Sequence, residues 1–215
     1  MTAALKLEEL THEACNCSYC FDHYGLKRPT IAIAQPRWVG SRYWNCNEKI
    51  LVVLLNPGAG ASRKDNADEI MYQKLLTFRN TRETSLEEIF ADQGNDMKKW
   101  GRGRFWNYFV TGIGLNIDEI AFANVAWCAT SGNEYPPAML STCFEKFTSR
   151  LISLLSPSII LLCGSGTRKF HQKIQKLAPD ARIIPTMHYA HREGRAAETS
   201  EIERVRDALR NSPRA

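Results

Sequence analysis

Three largely apolar runs divide this chain, the first of them apolar throughout, with amphipathic stretches between them. Residues 50–55 read Ile-Leu-Val-Val-Leu-Leu, residues 120–127 read Ile-Ala-Phe-Ala-Asn-Val-Ala-Trp, and residues 158–163 read Ser-Ile-Ile-Leu-Leu-Cys. A run that is apolar at every position suits a strand covered on both faces. A shorter run over 181–185 supplies a fourth strand. The pattern predicts helices over 66–79, 85–92, 104–115, 138–155, 167–177 and 198–210, with a short one at 5–14. Ser85, with Glu88 three places on, has the form of a capping box. Gly112 or Gly114 ends the helix over 104–115, and Pro157 follows the end of the one over 138–155. Residues 15–48 have no clear period and read as irregular, and Pro57-Gly58-Ala59-Gly60 reads as a turn.

Strands that alternate with helices build a parallel sheet with helices on both faces. The expected fold class is therefore α/β, a three-layer α/β/α arrangement around a small, mainly parallel four-stranded sheet. A length of 215 residues suits one domain over 1–215, in which 1–48 form an N-terminal segment containing cysteines.

Composition adds little to this. Hydrophobic residues at 44% and charged ones at 24% are ordinary for a globular protein. A net charge of +5 permits nucleic-acid binding without establishing it. No apolar run reaches transmembrane length, and the first ten residues lack the basic start and apolar middle of a signal peptide. The expected location is cytoplasmic, with no membrane partner and with reduced thiols. Seven cysteines, an odd number, argue against a disulfide framework and towards metal or redox chemistry.

The polar residues of interest stand where the apolar runs stop. Leu55-Asn56-Pro57-Gly58 ends the first run, and Asn124 lies inside the second. Cys128 and Cys143 frame Gly132-Asn133-Glu134-Tyr135-Pro136, and Pro185-Thr186-Met187-His188 ends the fourth. In an open parallel sheet the carboxyl ends of the strands are where ligands bind. Each stretch alone has a plain structural explanation: a turn, a satisfied buried amide, a loop, a structural histidine. Cys17-x-x-Cys20 has metal-ligand spacing, which is a weak signal for a single pair.

Taken in this order, the stretches resemble the uracil-DNA glycosylase superfamily, most closely its iron–sulfur branch. The resemblance covers roughly residues 15–195 and is best over 120–164, where Asn124-Val125-Ala126-Trp127-Cys128, the Gly-Asn-x-x-Pro loop and Cys143 keep order and approximate spacing. It implies a monofunctional DNA glycosylase that hydrolyses the N-glycosidic bond of uracil or a related deaminated base in DNA. Asn56 would position the attacking water, with Pro57 and Gly58 lining the base. Asn124 would read O4 and N3–H of uracil, and His188 would hold O2 of the departing base, with His191 its competitor for that role. Phe105 or Phe78 would stack on the base. Tyr189, His191, Arg192 and Arg195 would meet the DNA, and Lys98, Lys99, Arg102 and Arg104 around Trp100 offer a further phosphate-contacting face.

The resemblance also implies a [4Fe–4S] cluster on Cys17, Cys20, Cys128 and Cys143. Four thiolates also suit zinc, and Cys15 competes with Cys17 as a ligand. The expected partner is DNA containing a deaminated base, with the chain acting as a monomer. The chain departs from the branch at three places. It has Asn56 where Glu-x-Pro-Gly is usual, Ala129-Thr130-Ser131 in place of Arg-Pro-Pro, and His188-Tyr189-Ala190 in place of His-Pro-Ser. An amide cannot take a proton, so Asn56 could only orient water. Two other readings stay open: a module of the same fold that binds or cross-links uracil-DNA without turnover, through His188 or His191, and a metal-stapled α/β protein with unrelated small-molecule chemistry.

Overall fold

The computed structural model describes residues 2–29, 31–57, 67–191 and 194–211. Four strands form one sheet: β1 (Ile50–Leu54), β2 (Ile120–Asn124), β3 (Ile159–Cys163) and β4 (Arg182–Thr186). Their order is β2-β1-β3-β4, and every pairing is parallel. The fold is α/β with helices on both faces, as the alternation of runs predicts.

Strand geometry sends successive side chains to opposite faces, and the core divides accordingly. Leu51, Val53, Ala121, Ala123, Ile160 and Leu162 face one layer. That layer is built from α1 (Ala3–Cys15), a short α2 (Tyr19–Tyr24), α3 (Ala67–Asn80), α4 (Leu86–Asp96), α6 (Pro137–Cys143), α7 (Ser149–Leu155) and α9 (His171–Leu177). Val52, Leu54, Phe122, Leu161 and Cys163 face the other layer. There the cover is α5 (Arg104–Trp106), running on as a π-helical stretch over Asn107–Ile113, and α10 (Arg195–Arg210). The remaining short helix, α8 (Ser165–Arg168), follows β3 directly.

The Ser85 capping box is present, with Glu88 N–H donating to Ser85 Oγ at 3.1 Å and Ser85 N–H to Glu88 Oε2 at 2.9 Å. Gly114 ends the α5 stretch in a left-handed conformation (φ 88°). The expected helix over 138–155 is one continuous rod, but its middle, Phe144–Thr148, is π-helical. The second run leaves the sheet at Asn124 rather than at Trp127. Beyond it, Val125 and Ala126 still donate to the Leu54 and Leu55 carbonyls, both at 2.9 Å.

The largest departure lies in residues 15–48. Residues 35–42 run antiparallel along the free edge of β2. Val39 bridges Ala121, Phe122 N–H donates to Trp38 O at 2.8 Å, and Gln35 N–H donates to Trp127 O at 2.8 Å. A segment of mixed polarity beside a strand edge gives no periodic signal, yet it covers an edge that would otherwise be open. Among the described residues, no helix is long and apolar enough to cross a membrane.

Candidate functional site

The chain passes from β2 to β3 over the top of β1, so the connections reverse direction between β1 and β3. A crevice outside the carboxyl ends of the strands at such a reversal is where open α/β sheets take their ligands. Asn56 and Pro57 follow β1, Asn124 ends β2, Gly164 follows β3, and His188 follows β4. These four ends converge on that edge.

Asn124 is the most telling residue of the group. It pairs with Leu54 in register, and its side chain points to the same face as Phe122. It is 1% exposed. Its backbone is firmly anchored: Thr148 Oγ1 donates to the Asn124 carbonyl at 2.6 Å, and Trp127 Nε1 donates to Thr148 Oγ1 at 3.1 Å. Its side chain is not. Neither Oδ1 nor Nδ2 has a hydrogen-bond partner among the described residues. Leaving a buried polar group unbonded costs roughly 1–3 kcal/mol, and such groups are rare in native proteins.

Asn56 is partly exposed and is held from the loop that follows β2. Its Nδ2 donates to Asn133 Oδ1 at 2.9 Å. Tyr135 stands close by; burial raises its phenol's pKa, and Thr130 and Asn56 oppose the rise. With the amide nitrogen held by Asn133, Oδ1 is the acceptor of the Asn56 side chain. Asn133 reaches Asn56 from a left-handed backbone position (φ 59°) that asparagine tolerates better than most residues. Pro57 is partly exposed beside Asn56. Gly58 lies outside the described residues.

His188 is exposed at the mouth of this edge. Its Nδ1 accepts the Ala190 N–H at 3.1 Å, which assigns the proton of the neutral ring to Nε2. Burial of part of the ring, and then the nearby His191, hold its pKa below the usual histidine value. The ring stacks on Tyr189 at 4.5 Å and packs against Gly164. A Cβ at Gly164 would stand 3.2 Å from His188 Cβ, on a backbone with φ 90°. Glycine is what lets the histidine lie this close to the end of β3. The loop itself is braced, with Met187 N–H donating to Glu201 Oε1 at 2.8 Å and His191 N–H to His188 O at 2.8 Å. His191 faces Glu198 at 3.9 Å. Arg195 opens α10 and is exposed, whereas Arg192 lies outside the described residues.

The two stacking candidates part company. Phe78 is fully buried in the layer on the other face of the sheet, edge-on to His12 at 5.9 Å. It has no route to the side of Asn124, and that expectation is corrected. Phe105 is on the Asn124 side, 5.0 Å from Phe122, but it too is fully buried, beneath Trp100 at 5.1 Å and Tyr189 at 5.3 Å. Among the described residues the partly exposed aromatic rings packed on that side include Trp100, Trp106 and Tyr189, while Tyr135 packs against the layer on the other face. Arg37 joins them from the edge segment, its guanidinium 5.4 Å from the Trp100 ring. Arg37 carries no motif in the sequence; only the antiparallel run along β2 brings it here.

The cysteines form a second centre, on the opposite face. Cys128 and Cys143 are buried side by side, and Cys20 and Cys17 lie near both. Burial pushes Cys128 well above the ordinary thiol value, with Cys143, Cys20, Cys17 and Cys15 adding to it. Burial likewise raises Cys143 to about 12, opposed by the backbone N–H groups of Trp127, at 3.1 Å, and Cys128. Cys15 is turned away, its thiol donating to the Ala34 carbonyl at 3.5 Å. Among the described residues no three His, Cys, Asp or Glu groups stand at closed metal-site separations. The thiols are gathered without being drawn onto one centre.

No protein-family model matches the chain, and no curated protein is similar to it.

Proposed function

We propose that this chain is a monofunctional DNA glycosylase that hydrolyses the N-glycosidic bond of uracil or a related deaminated base, acting on a base flipped out of DNA. The observation that carries the reading is the Asn124 amide: buried, rigidly mounted, and with donor and acceptor both open. An amide so placed matches one edge of a pyrimidine. It would donate to O4 and accept from N3–H of uracil, and cytosine presents the reverse pattern.

The chemistry needs no protein nucleophile. Cleavage leaves an oxocarbenium-like sugar and a base anion, so the protein must extrude the base, hold the anion and place one water. Extrusion costs a few kcal/mol, least for a mispaired or single-stranded base. Asn56, with its amide nitrogen held by Asn133, offers Oδ1 to a water and orients it. His188, its proton on Nε2, donates to O2 as charge develops there. A donor that gains strength only as the anion forms lowers the barrier rather than merely binding substrate. Tyr189 and Trp100 offer the aromatic surface, with Phe105 behind them. Tyr189 and His191, with Arg195 at the start of α10, make up the proposed DNA-facing surface.

The four thiols suit a [4Fe–4S] cluster on Cys17, Cys20, Cys128 and Cys143 in kind, and they lie on one side of the sheet. Cys17 suits a ligand better than Cys15, whose thiol is already committed to Ala34. Backbone N–H groups aimed at Cys143 suit a sulfur that carries charge. Such a cluster would tie the N-terminal segment to the loop after β2 as a structural staple. Reduced cysteines and a cluster of this kind fit a cytoplasmic, monomeric protein. Iron and sulfide analysis of anaerobically purified protein tests this, with zinc content the competing result.

The activity is tested by incubating the protein with a labelled uracil-containing oligonucleotide, followed by alkali and a denaturing gel. Cleavage at the uracil is expected. An intact strand at its normal position would sink the glycosylase reading, and a strand carrying covalently bound protein would replace it with a cross-linking one.

A further inference from the structure

Arg37 is a strong cation at this edge that no motif accounts for. It is only partly exposed, and the protein around it lowers its pKa to about 10, with Tyr189 and Tyr135 acting in the other direction. At neutral pH it remains charged. Among the described residues no carboxylate pairs with it, whereas two exposed basic side chains of the connection beside Trp100 have other engagements. Lys99 pairs with Asp96 at 3.3 Å, and Arg104 donates to the Ala190 and His191 carbonyls at 3.5 Å. A guanidinium withdrawn from water without a counter-charge is unfavourable unless a ligand supplies one.

Its place is fixed by backbone bonds rather than by a loop tip. Phe122 N–H to Trp38 O and Gln35 N–H to Trp127 O bracket Arg37 along β2, at the level of Asn124. Its guanidinium lies over Trp100, and Tyr135 and Tyr189 lie close enough to bear on its ionisation. It therefore stands between the loop that holds Asn56 and the loop that carries His188. The neighbouring connection adds Lys98, itself over Trp106 at 5.2 Å, and the exposed Arg102. Cations resting on aromatic rings along one rim are a common way to follow a nucleic-acid backbone.

We propose that Arg37 is a substrate-binding residue that holds a DNA phosphodiester flanking the flipped nucleotide, at the moment its base lies against Asn124. The inference rests on the glycosylase reading. It assigns to Arg37 a phosphate rather than the departing base, because Arg37 lies on the rim with Lys98 and Arg102, outside the Asn124 amide. A planar guanidinium stacked on an indole is preorganised for two-point contact with phosphate oxygens.

The test is the salt dependence of binding, read by fluorescence anisotropy. The probe is a duplex carrying 2′-fluoro-deoxyuridine, whose glycosidic bond resists cleavage, with a lesion-free duplex beside it. Neutralising one phosphate contact makes the slope of log K against log salt shallower by about 0.9. Arg37→Gln and Arg37→Met, the latter keeping an apolar stem over Trp100, are both expected to show that change on the lesion duplex and none on the lesion-free one. Arg37→Lys is expected to keep the slope. Uncharged methylphosphonates flanking the lesion should give wild-type protein the same shallower slope, and Arg37→Gln should then lose nothing more. An unchanged slope in the neutral variants, or full additivity with the methylphosphonates, overturns the proposal. So does a loss confined to the excision rate at saturating DNA, which would place Arg37 on the base. If the wild-type protein shows the lesion-dependent slope but no excision, the glycosylase reading fails while the Arg37 contact stands.

Discussion

The two ends of the sheet treat their polar groups in opposite ways. At the amino ends of the strands, polar groups close on one another. Ser158 Oγ accepts the Lys49 N–H at 2.9 Å, Ser158 N–H returns to Lys49 O at 3.0 Å, Arg182 N–H meets Ser158 O at 2.9 Å, and Tyr43 Oη donates to Leu155 O at 3.2 Å. At the carboxyl ends the side chains are mounted with equal care but left open. Asn124 is anchored through its backbone and has no partner for its amide among the described residues. Asn56 has its amide nitrogen held by Asn133, with Oδ1 as its acceptor. A folded chain satisfies its buried polar groups unless something else is meant to. The amino edge is thus read as scaffold and the carboxyl edge as a site, and four measurements can break or sharpen that contrast.

The largest effect is expected at Asn124. Asn124→Leu removes two unbonded buried polar atoms, so the melting temperature is expected to hold or rise by a few degrees, since about 1 kcal/mol moves it by about 2–4 °C in a domain this size. Excision of uracil is expected to fall about 100- to 1000-fold. Gain of stability with loss of activity marks a group kept for a ligand. A drop of many degrees would instead identify Asn124 as a structural amide and erase the contrast between the two edges.

Asn56→Ala comes next. It removes no buried core and leaves Asn133 and Tyr135 in water's reach, so stability is expected to change little. Loss of an oriented water is expected to cost roughly 100-fold in single-turnover rate at saturating DNA, with binding of the uncleavable duplex unchanged. Weakened binding at an unchanged rate would move Asn56 from the water to the base.

Ser158→Ala probes the other end of the sheet. It leaves the Lys49 N–H without its side-chain partner and is expected to cost about 1 kcal/mol, a melting shift of about 2–4 °C, with excision unchanged. A loss of excision without a melting shift would mean that the amino edge also carries function.

How much of this was legible beforehand follows from what each signal measures. Continuous apolar runs report burial on both faces, so the strands and the three layers could be read directly, as could the Ser85 capping box. The second run seemed to extend to Trp127 because burial continues where the sheet stops. Strand ends located Asn56, Asn124 and His188 on one edge, since topology places all carboxyl ends there. Stacking partners were not legible: Phe78 and Phe105 look alike in sequence, and only the face of the sheet on which each one's helix packs separates them. Arg37 was invisible because it belongs to a segment without a period of its own, held by backbone bonds to β2. The π-helical turn that carries Thr148 to the Asn124 carbonyl is equally silent, since a π segment is one extra residue in an otherwise helical pattern.

The smallest effect concerns the ionisation of His188. Its folded pKa lies below the ordinary value of 6.5, through burial first and His191 second. The unfolded chain therefore takes up the proton at a higher pH than the folded one. The stability tied to this group is fully present above about 6.5 and is lost as pH falls through the folded midpoint. Protonation also puts a hydrogen on Nδ1, which now accepts the Ala190 N–H, so the turn of the loop loses a bond in the same step. Excision is accordingly expected to fall on the acid side with the midpoint of His188, not with that of an ordinary histidine. An NMR titration of the ring should place that midpoint below 6.5, and His191→Gln should raise it without fully restoring the ordinary value, because burial remains. A midpoint at or above 6.5 in the wild-type protein would mean that the imidazolium is welcome at this edge. His188 would then act as a cation towards the departing base, and the neutral Nε2 donor assigned to it would have to be withdrawn.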